Sequence, residues 1–327
     1  MTDKTVHWAG IRETTFVWGI RILYGFFRLG GRPLFWLSLW PVVAVYWLML
    51  PRVRAASLDY LKRAFAAGLL KRRPTVFTTL THVFHFADTV LDKLLAVAGY
   101  FGKESLKVQG REPLLASGKG AVLVTAHTGC LELCQALTTD PSRLYVLTHT
   151  RHAQEFNRML ARINPAFAVN HIEVTELTPA VAIELADKVA SGALLVIAGD
   201  RIPVASQAVT HAAFLGTAAP FPSGPALLSL LLKCPLWAMV CTRNSGGVGA
   251  KYHLTFKKLA APENVGRRER NAYFARAAGA YAAFLTQQLA REPLDWFNFF
   301  DFWHQAANDA HGVHAKRCLL YTSDAAD

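Results

Sequence analysis

Cysteine is scarce in this chain of 327 residues: five in all (Cys130, Cys134, Cys234, Cys241 and Cys318), an odd number set mostly within apolar runs. That excludes a disulfide framework and suits reduced thiols in a cytosol-facing protein. No Cys-x-x-Cys pair is present, and the tail residues His311, His314 and Cys318 are too isolated to make a metal site the expectation. A Gly-x-Ser-x-Gly nucleophile elbow is missing, which argues against an α/β-hydrolase. There is no internal repeat, no helix-turn-helix pattern and no aromatic RNA-binding sheet motif, so repeat architectures and nucleic-acid binding are set aside. Acidic residues are also few: 23 Asp and Glu against 35 Lys and Arg leave a net charge of +12. With 52% hydrophobic residues this is no disordered basic tail. An anionic partner is expected, and an acidic protein or an anionic lipid surface remains.

What is abundant is apolar sequence near the N-terminus. Leu34 to Leu50, LFWLSLWPVVAVYWLML, contains Ser38 as its only ordinary polar residue, with Arg28 and Arg32 before it and Arg52 and Arg54 after. The run is of borderline length for a transmembrane helix. Pro41 and the aromatic residues Trp36, Trp40, Tyr46 and Trp47 suit an interfacial element equally. Membrane attachment is the reading; a buried core helix pair is the alternative. The expected division is a membrane-associated segment over 1–56, a globular domain over 57–310 and a tail over 311–327, of which RCLLYTSDAAD resembles translated sequencing-adapter sequence and is left out of fold reasoning.

From Ala56 to Gly99 apolar residues recur at helical spacing, with the basic run Lys71, Arg72 and Arg73 between two pieces. Beyond Gly99 the pattern alternates. Ala121–Thr125, Leu144–Thr148, Leu194–Ala198, Leu236–Cys241 and Tyr252–Phe256 read as strands, and Glu155–Ile163, Ala180–Ala190, Ser223–Leu232 and Asn271–Leu289 as helices. The fold class expected is therefore α/β, a mostly parallel sheet flanked by helices, with an N-terminal membrane-associated helical segment.

Chemistry enters at the end of the first long strand, in AVLVTAHTGCLELC, where His127 follows the apolar run and Glu132 comes five positions later. Sites in open α/β sheets form at the carboxyl ends of strands. A helix begun near Gly129 would let Glu132 reach back to the imidazole, fix its tautomer and stabilise the imidazolium formed when it accepts a proton. A structural histidine is the competing interpretation of the same spacing.

The His-x4-Glu motif resembles the signature of the lysophospholipid acyltransferase superfamily, and the Glu version after an apolar strand is similar to its late lipid A acyltransferase branch. SLDYLKR at 57–63, AGDRIPV at 198–204, FLGTAAPFPSGPALLSL at 214–230 and REPLDWFNFFDFW at 291–303 match that branch in order. AGDR and the aromatic ending also resemble acyltransferases of aryl polyene pathways. The resemblance implies a glycerolipid acyltransferase-like fold and acyl transfer from an acyl carrier protein or coenzyme A thioester to a hydroxyl of a lipid or glycolipid. His127 is then the base and Glu132 its orienter, with no cofactor and no metal. It further implies membrane lipids and acyl carrier protein as partners, with the active domain on the cytoplasmic face of the inner membrane. Around this centre, backbone N–H groups near Gly129 are expected to meet the oxyanion. Arg151, Asp200 and Arg201 are expected at the acceptor, with surface or salt-bridge roles as the alternative. Phe214 and Gly216 are read as part of a loop closing the acyl or acceptor pocket, or else as fold punctuation. A thioesterase using the same pair on water, and a silent lipid- or carrier-binding module, are the competing functions.

Overall fold

A computed structural model describes residues 17–132, 143–148, 170–173, 179–202, 208–245, 251–263 and 265–305. The expected helix Glu155–Ile163 lies outside them, as do Arg151, Cys134 and the tail. Seven strands form one sheet in the order β1-β9-β8-β2-β5-β3-β4: β1 (Leu106–Gln109), β2 (Ala121–Thr125), β3 (Leu144–Thr148), β4 (Asn170–Glu173), β5 (Leu194–Ala198), β8 (Leu236–Arg243) and β9 (Tyr252–Ala260). All neighbours run parallel except β8 and β9, which are antiparallel. The α/β class is as expected, and β2, β3 and β5 have the expected bounds because buried parallel strands read as unbroken apolar runs.

Alternation along β2 divides the core. Val122 and Val124 face one layer with Leu195, Ala238 and Val240, covered by helix α7 (Arg270–Leu289) through Tyr281, Ala282 and Leu285. Ala121 and Leu123 face the other, with Leu194, Val196, Met239 and Tyr252, closed by Ala96 and Leu114 from α3 (Val76–Val97) and α4 (Glu112–Ala116). Helices α5 (Pro179–Ala190) and α6 (Gly224–Leu231) complete the crossovers.

Between β5 and α6 the expected loop is instead a two-stranded hairpin, β6 (Val209–Phe214) and β7 (Thr217–Pro222). Leu215 and Gly216 form its turn with φ of 49° and 82°, both left-handed, as a two-residue turn of this hand requires. Pro220 and Pro222 are tolerated because the hairpin stands apart from the main sheet.

The N-terminal helix α1 (Val17–Met49) breaks at Gly30–Gly31, where Gly31 takes φ 65°. After the break, Phe35, Leu39, Val43 and Trp47 form a stripe buried against Val83, Leu91 and Leu95 of α3. The opposite face leaves Trp36, Leu37, Trp40, Val45, Leu48 and Met49 exposed. Ile22–Met49 is long and apolar enough to cross a membrane by length and composition. Arg32 interrupts this helix and is bonded by Asp88 and Asp92 of α3. The same two carboxylates take Arg243 at 2.6 and 3.0 Å, and Lys251 reaches Asp92 at 2.7 Å. Burial favours neutral Asp92, but the three cations hold its carboxyl below the ordinary range. Helix α2 (Pro51–Ala66) then follows directly and packs on α3.

Candidate active site

β2 and β5 are neighbours in register, with Thr125 opposite Ala198. Two residues beyond each strand end stand His127 and Asp200, so the sheet itself brings them together. The carboxylate Oδ1 of Asp200 lies 2.7 Å from His127 Nδ1, and Oδ2 accepts the His127 backbone N–H at 2.8 Å and the Trp296 indole N–H at 3.0 Å. Asp200 is 2% exposed. Burial pushes its carboxyl up, but the His127 imidazole and Arg201 pull it down to about 2, so it is ionised at neutral pH. An ionised acceptor puts the ring proton on Nδ1 and leaves Nε2 with the basic lone pair. Among the described residues Nε2 has no hydrogen-bond partner, and 31% of the side chain remains accessible. Burial first and the Arg201 charge second lower the His127 pKa, against the pull of Asp200. The neutral, proton-accepting form therefore prevails at pH 7.

Glu132 does not orient this imidazole, contrary to expectation. Its Oε1 accepts from Lys93 Nζ on α3 at 3.0 Å, and its Oε2 is 3.6 Å from Cys130 Sγ. The physical reason is a better partner on each side: a full ammonium charge draws Glu132 toward α3, and the strand register delivers a buried carboxylate to Nδ1. Gly129 differs from expectation too. Its N–H is spent on the Asp295 carbonyl at 3.2 Å, and that of Thr128 on Ala126 O at 2.8 Å, so neither serves as an oxyanion donor here. Gly129 takes φ 47°, and a Cβ there would stand 2.6 Å from the Cys241 carbonyl oxygen. Only glycine fits this turn without displacing β8.

Phe214 and Gly216 belong to the β6–β7 hairpin and not to a loop. Phe214 is 1% exposed and packs edge-on against Trp296 at 5.2 Å, while Gly216 is a turn residue with open space where a side chain would be. Arg201 does lie at the site, beside Asp200 and half-buried. Arg151 falls outside the described residues.

The segment Asp295–Phe297 was missed as part of the site. It runs across the turn after β2 like a short strand: Phe297 N–H donates to His127 O at 2.8 Å, Thr128 pairs with Trp296, and Asp295 O accepts from Gly129 N–H. The Asp295 side chain takes the Arg243 backbone N–H at 2.6 Å and stands 3.1 Å from His85 Nε2. The one available signal was the aromatic density of DWFNFFDFW.

The sequence model for the family described as "Bacterial lipid A biosynthesis acyltransferase" matches residues 73–305, a span that includes every side chain placed at this site. No curated protein matches the chain. Among solved structures, the 1-acyl-sn-glycerophosphate (LPA) acyltransferase PlsC from Thermotoga maritima is similar, at 11% identity and a TM-score of 0.35, over 76% of this chain and 97% of that one.

Proposed function

Because the chain belongs to the bacterial lipid A biosynthesis acyltransferase family and is an O-acyltransferase, we propose that it moves a fatty acyl group from an acyl carrier protein or coenzyme A thioester to a hydroxyl of a lipid or glycolipid, with His127 as general base. The observation that carries the mechanism is the 2.7 Å anchoring of Nδ1 by Asp200, which leaves Nε2 basic and reachable. Nε2 takes the acceptor hydroxyl proton as the oxygen attacks the thioester carbonyl. The imidazolium so formed is stabilised by the Asp200 carboxylate. When the tetrahedral intermediate collapses, the C–S bond breaks and the thiol leaves with the proton from Nε2. The guanidinium of Arg201 supplies positive charge beside the base, suited to the oxyanion or to an acceptor phosphate. Glu132 holds Lys93 at the edge of the same site. No cofactor is consumed beyond the thioester.

The excess of 35 cations over 23 anions favours an acidic carrier protein as donor. The exposed apolar face of α1, flanked by Arg28, Arg52 and Arg54, supports attachment to the inner membrane with the catalytic sheet on the cytoplasmic side. The test is His127→Ala in an acyl-transfer assay that also measures free fatty acid. Loss on the order of 10²–10⁴-fold in a folded, membrane-bound variant is expected. A wild-type rate returns the histidine to a structural role, and release of free acid without transfer by the unaltered enzyme makes it a thioesterase.

A further inference from the structure

We propose that Trp296 is a positioning residue whose indole N–H sets how strongly Asp200 holds and polarises His127; the proposal rests on the reading of His127 as base. Among the described residues Asp200 accepts three hydrogen bonds, and two of them come from His127 itself. The Trp296 indole is the donor independent of the base, and it binds Oδ2, the oxygen that also holds the His127 backbone.

Packing alone does not call for this bond. Trp296 is fully buried, with Tyr60, Phe302 and Phe214 rings at 4.9, 5.0 and 5.2 Å, all edge-on. Any large ring would occupy that cage. The fold also leaves the buried indole N–H groups of Trp237 and Trp303 without partners among the described residues, so pairing of an indole is not general here. The backbone of Trp296 is independently fixed. Its carbonyl accepts from His82 Nε2 at 3.0 Å, and His82 Nδ1 accepts from Ser57 Oγ at 2.8 Å, which ties the segment to α2 and α3. Tyr60 adds a bond from its hydroxyl to Pro293 O at 2.6 Å. The indole N–H is thus delivered to Asp200 by a rigid frame.

A donor on a carboxylate spreads its negative charge and weakens its attraction for a neighbouring cation. Removing the indole N–H leaves Asp200 more basic toward Nδ1 and the imidazolium more stable. The other groups that face the pair stay in place: Arg201 beside Asp200, Lys93 of α3 with its partner Glu132, and the Tyr281 hydroxyl from α7; Asp295, next to Trp296, keeps His85. The base then needs a higher pH to be neutral.

The test uses full-length protein in detergent. Trp296→Phe removes the donor and some volume; benzothienylalanine at position 296 keeps the bicyclic volume and lacks the N–H, which covers failure of the first variant to fold. Two readouts are taken: the acid limb of kcat/KM for acyl transfer, and the titration of the His127 imidazole by NMR. Both are expected to rise by about half a pH unit or more, with kcat falling at pH values below the shifted limb and KM little changed. An NMR midpoint unchanged in a folded variant overturns the proposal and leaves Trp296 as packing. A moved NMR midpoint with an unmoved rate profile supports the Trp296 coupling and instead overturns the reading of His127 as base.

Discussion

Asp200→Asn separates the two carboxylates that compete for the role of orienter. The asparagine side chain is nearly isosteric but offers one acceptor oxygen and one amide. Asp200 meets three N–H donors, at 2.7, 2.8 and 3.0 Å. If the new oxygen faces Nδ1, the amide is left pointing at two donors, the His127 backbone and the Trp296 indole. If the amide faces Nδ1, the oxygen satisfies both of those and Nδ1 must become the acceptor. The second arrangement satisfies every group, and it moves the ring proton to Nε2, where the acceptor hydroxyl needs a lone pair. The fold is then retained and catalysis is lost, by roughly 10³–10⁴-fold, the scale seen when a triad histidine takes the wrong tautomer. Glu132→Gln removes a partly exposed ion pair with Lys93, 20% and 17% accessible, worth at most ~1 kcal/mol or about fivefold in rate. Initial rates of acyl transfer across pH, with imidazole 15N shifts to read the tautomer, decide the matter. If Asp200→Asn stays within tenfold of wild type while Glu132→Gln loses a thousandfold, Glu132 orients the working base and the reasoning fails.

Three further outcomes follow from packing and charge. Asp92→Ala leaves Arg32, Arg243 and Lys251 facing Asp88 alone, and should destabilise the fold by ~3–5 kcal/mol in denaturant titrations in detergent; under 1 kcal/mol would show that the cluster is hydrated. Burial lowers the His82 pKa from 6.5 to about 3, so the unfolded chain binds this proton first. Stability contributed by neutral His82 is complete above 6.5 and declines as pH falls toward 3, with a slope approaching ~1.4 kcal/mol per pH unit. His82→Gln should flatten that slope, and an unchanged slope assigns it to other groups. Leu37→Asp with Leu48→Asp puts like charges against anionic lipid on α1, at positions 73% and 65% exposed. Co-sedimentation with anionic lipid vesicles should fall sharply with the fold intact; undiminished binding would place the attachment elsewhere.

The sheet was readable where strands are buried on both faces, and unreadable where they are not. Leu144–Thr148 is an apolar run between two neighbours, whereas β4, Asn-His-Ile-Glu, sits at an edge and carries no apolar pattern. The hairpin at 209–222 hid behind Pro220 and Pro222, which argue against strands unless the ladder is two-stranded and separate. The helix expected over Asn271–Leu289 is α7, which buries Tyr273, Ala277, Tyr281, Leu285 and Leu289 along one stripe. At the site His127 was legible from its strand end. Nearness in sequence points from His127 to Glu132, whereas Asp200, 73 residues away, stands at the same offset past an adjacent strand. Counting from both strand ends would have found the pair. Nothing in the local pattern reveals that Trp296 reaches Asp200, because that bond depends on how α2 and α3 cradle the last segment.

Arg32 in α1 has a consequence for the order in which the chain is made. Arg32 emerges from the ribosome before its acceptors, and Asp88 and Asp92 lie 56 and 60 residues later. At synthesis rates of about 5–20 residues per second, that gap amounts to roughly 3–12 s. Throughout it the longest helix among the described residues carries an unneutralised guanidinium, a charge whose cost in a bilayer-spanning segment rises to ~2.5–3.5 kcal/mol at the centre. Early, independent insertion is therefore disfavoured. The helix takes its final seat only when α3 presents the two carboxylates, so α1 and the sheet domain are committed to their places in one step.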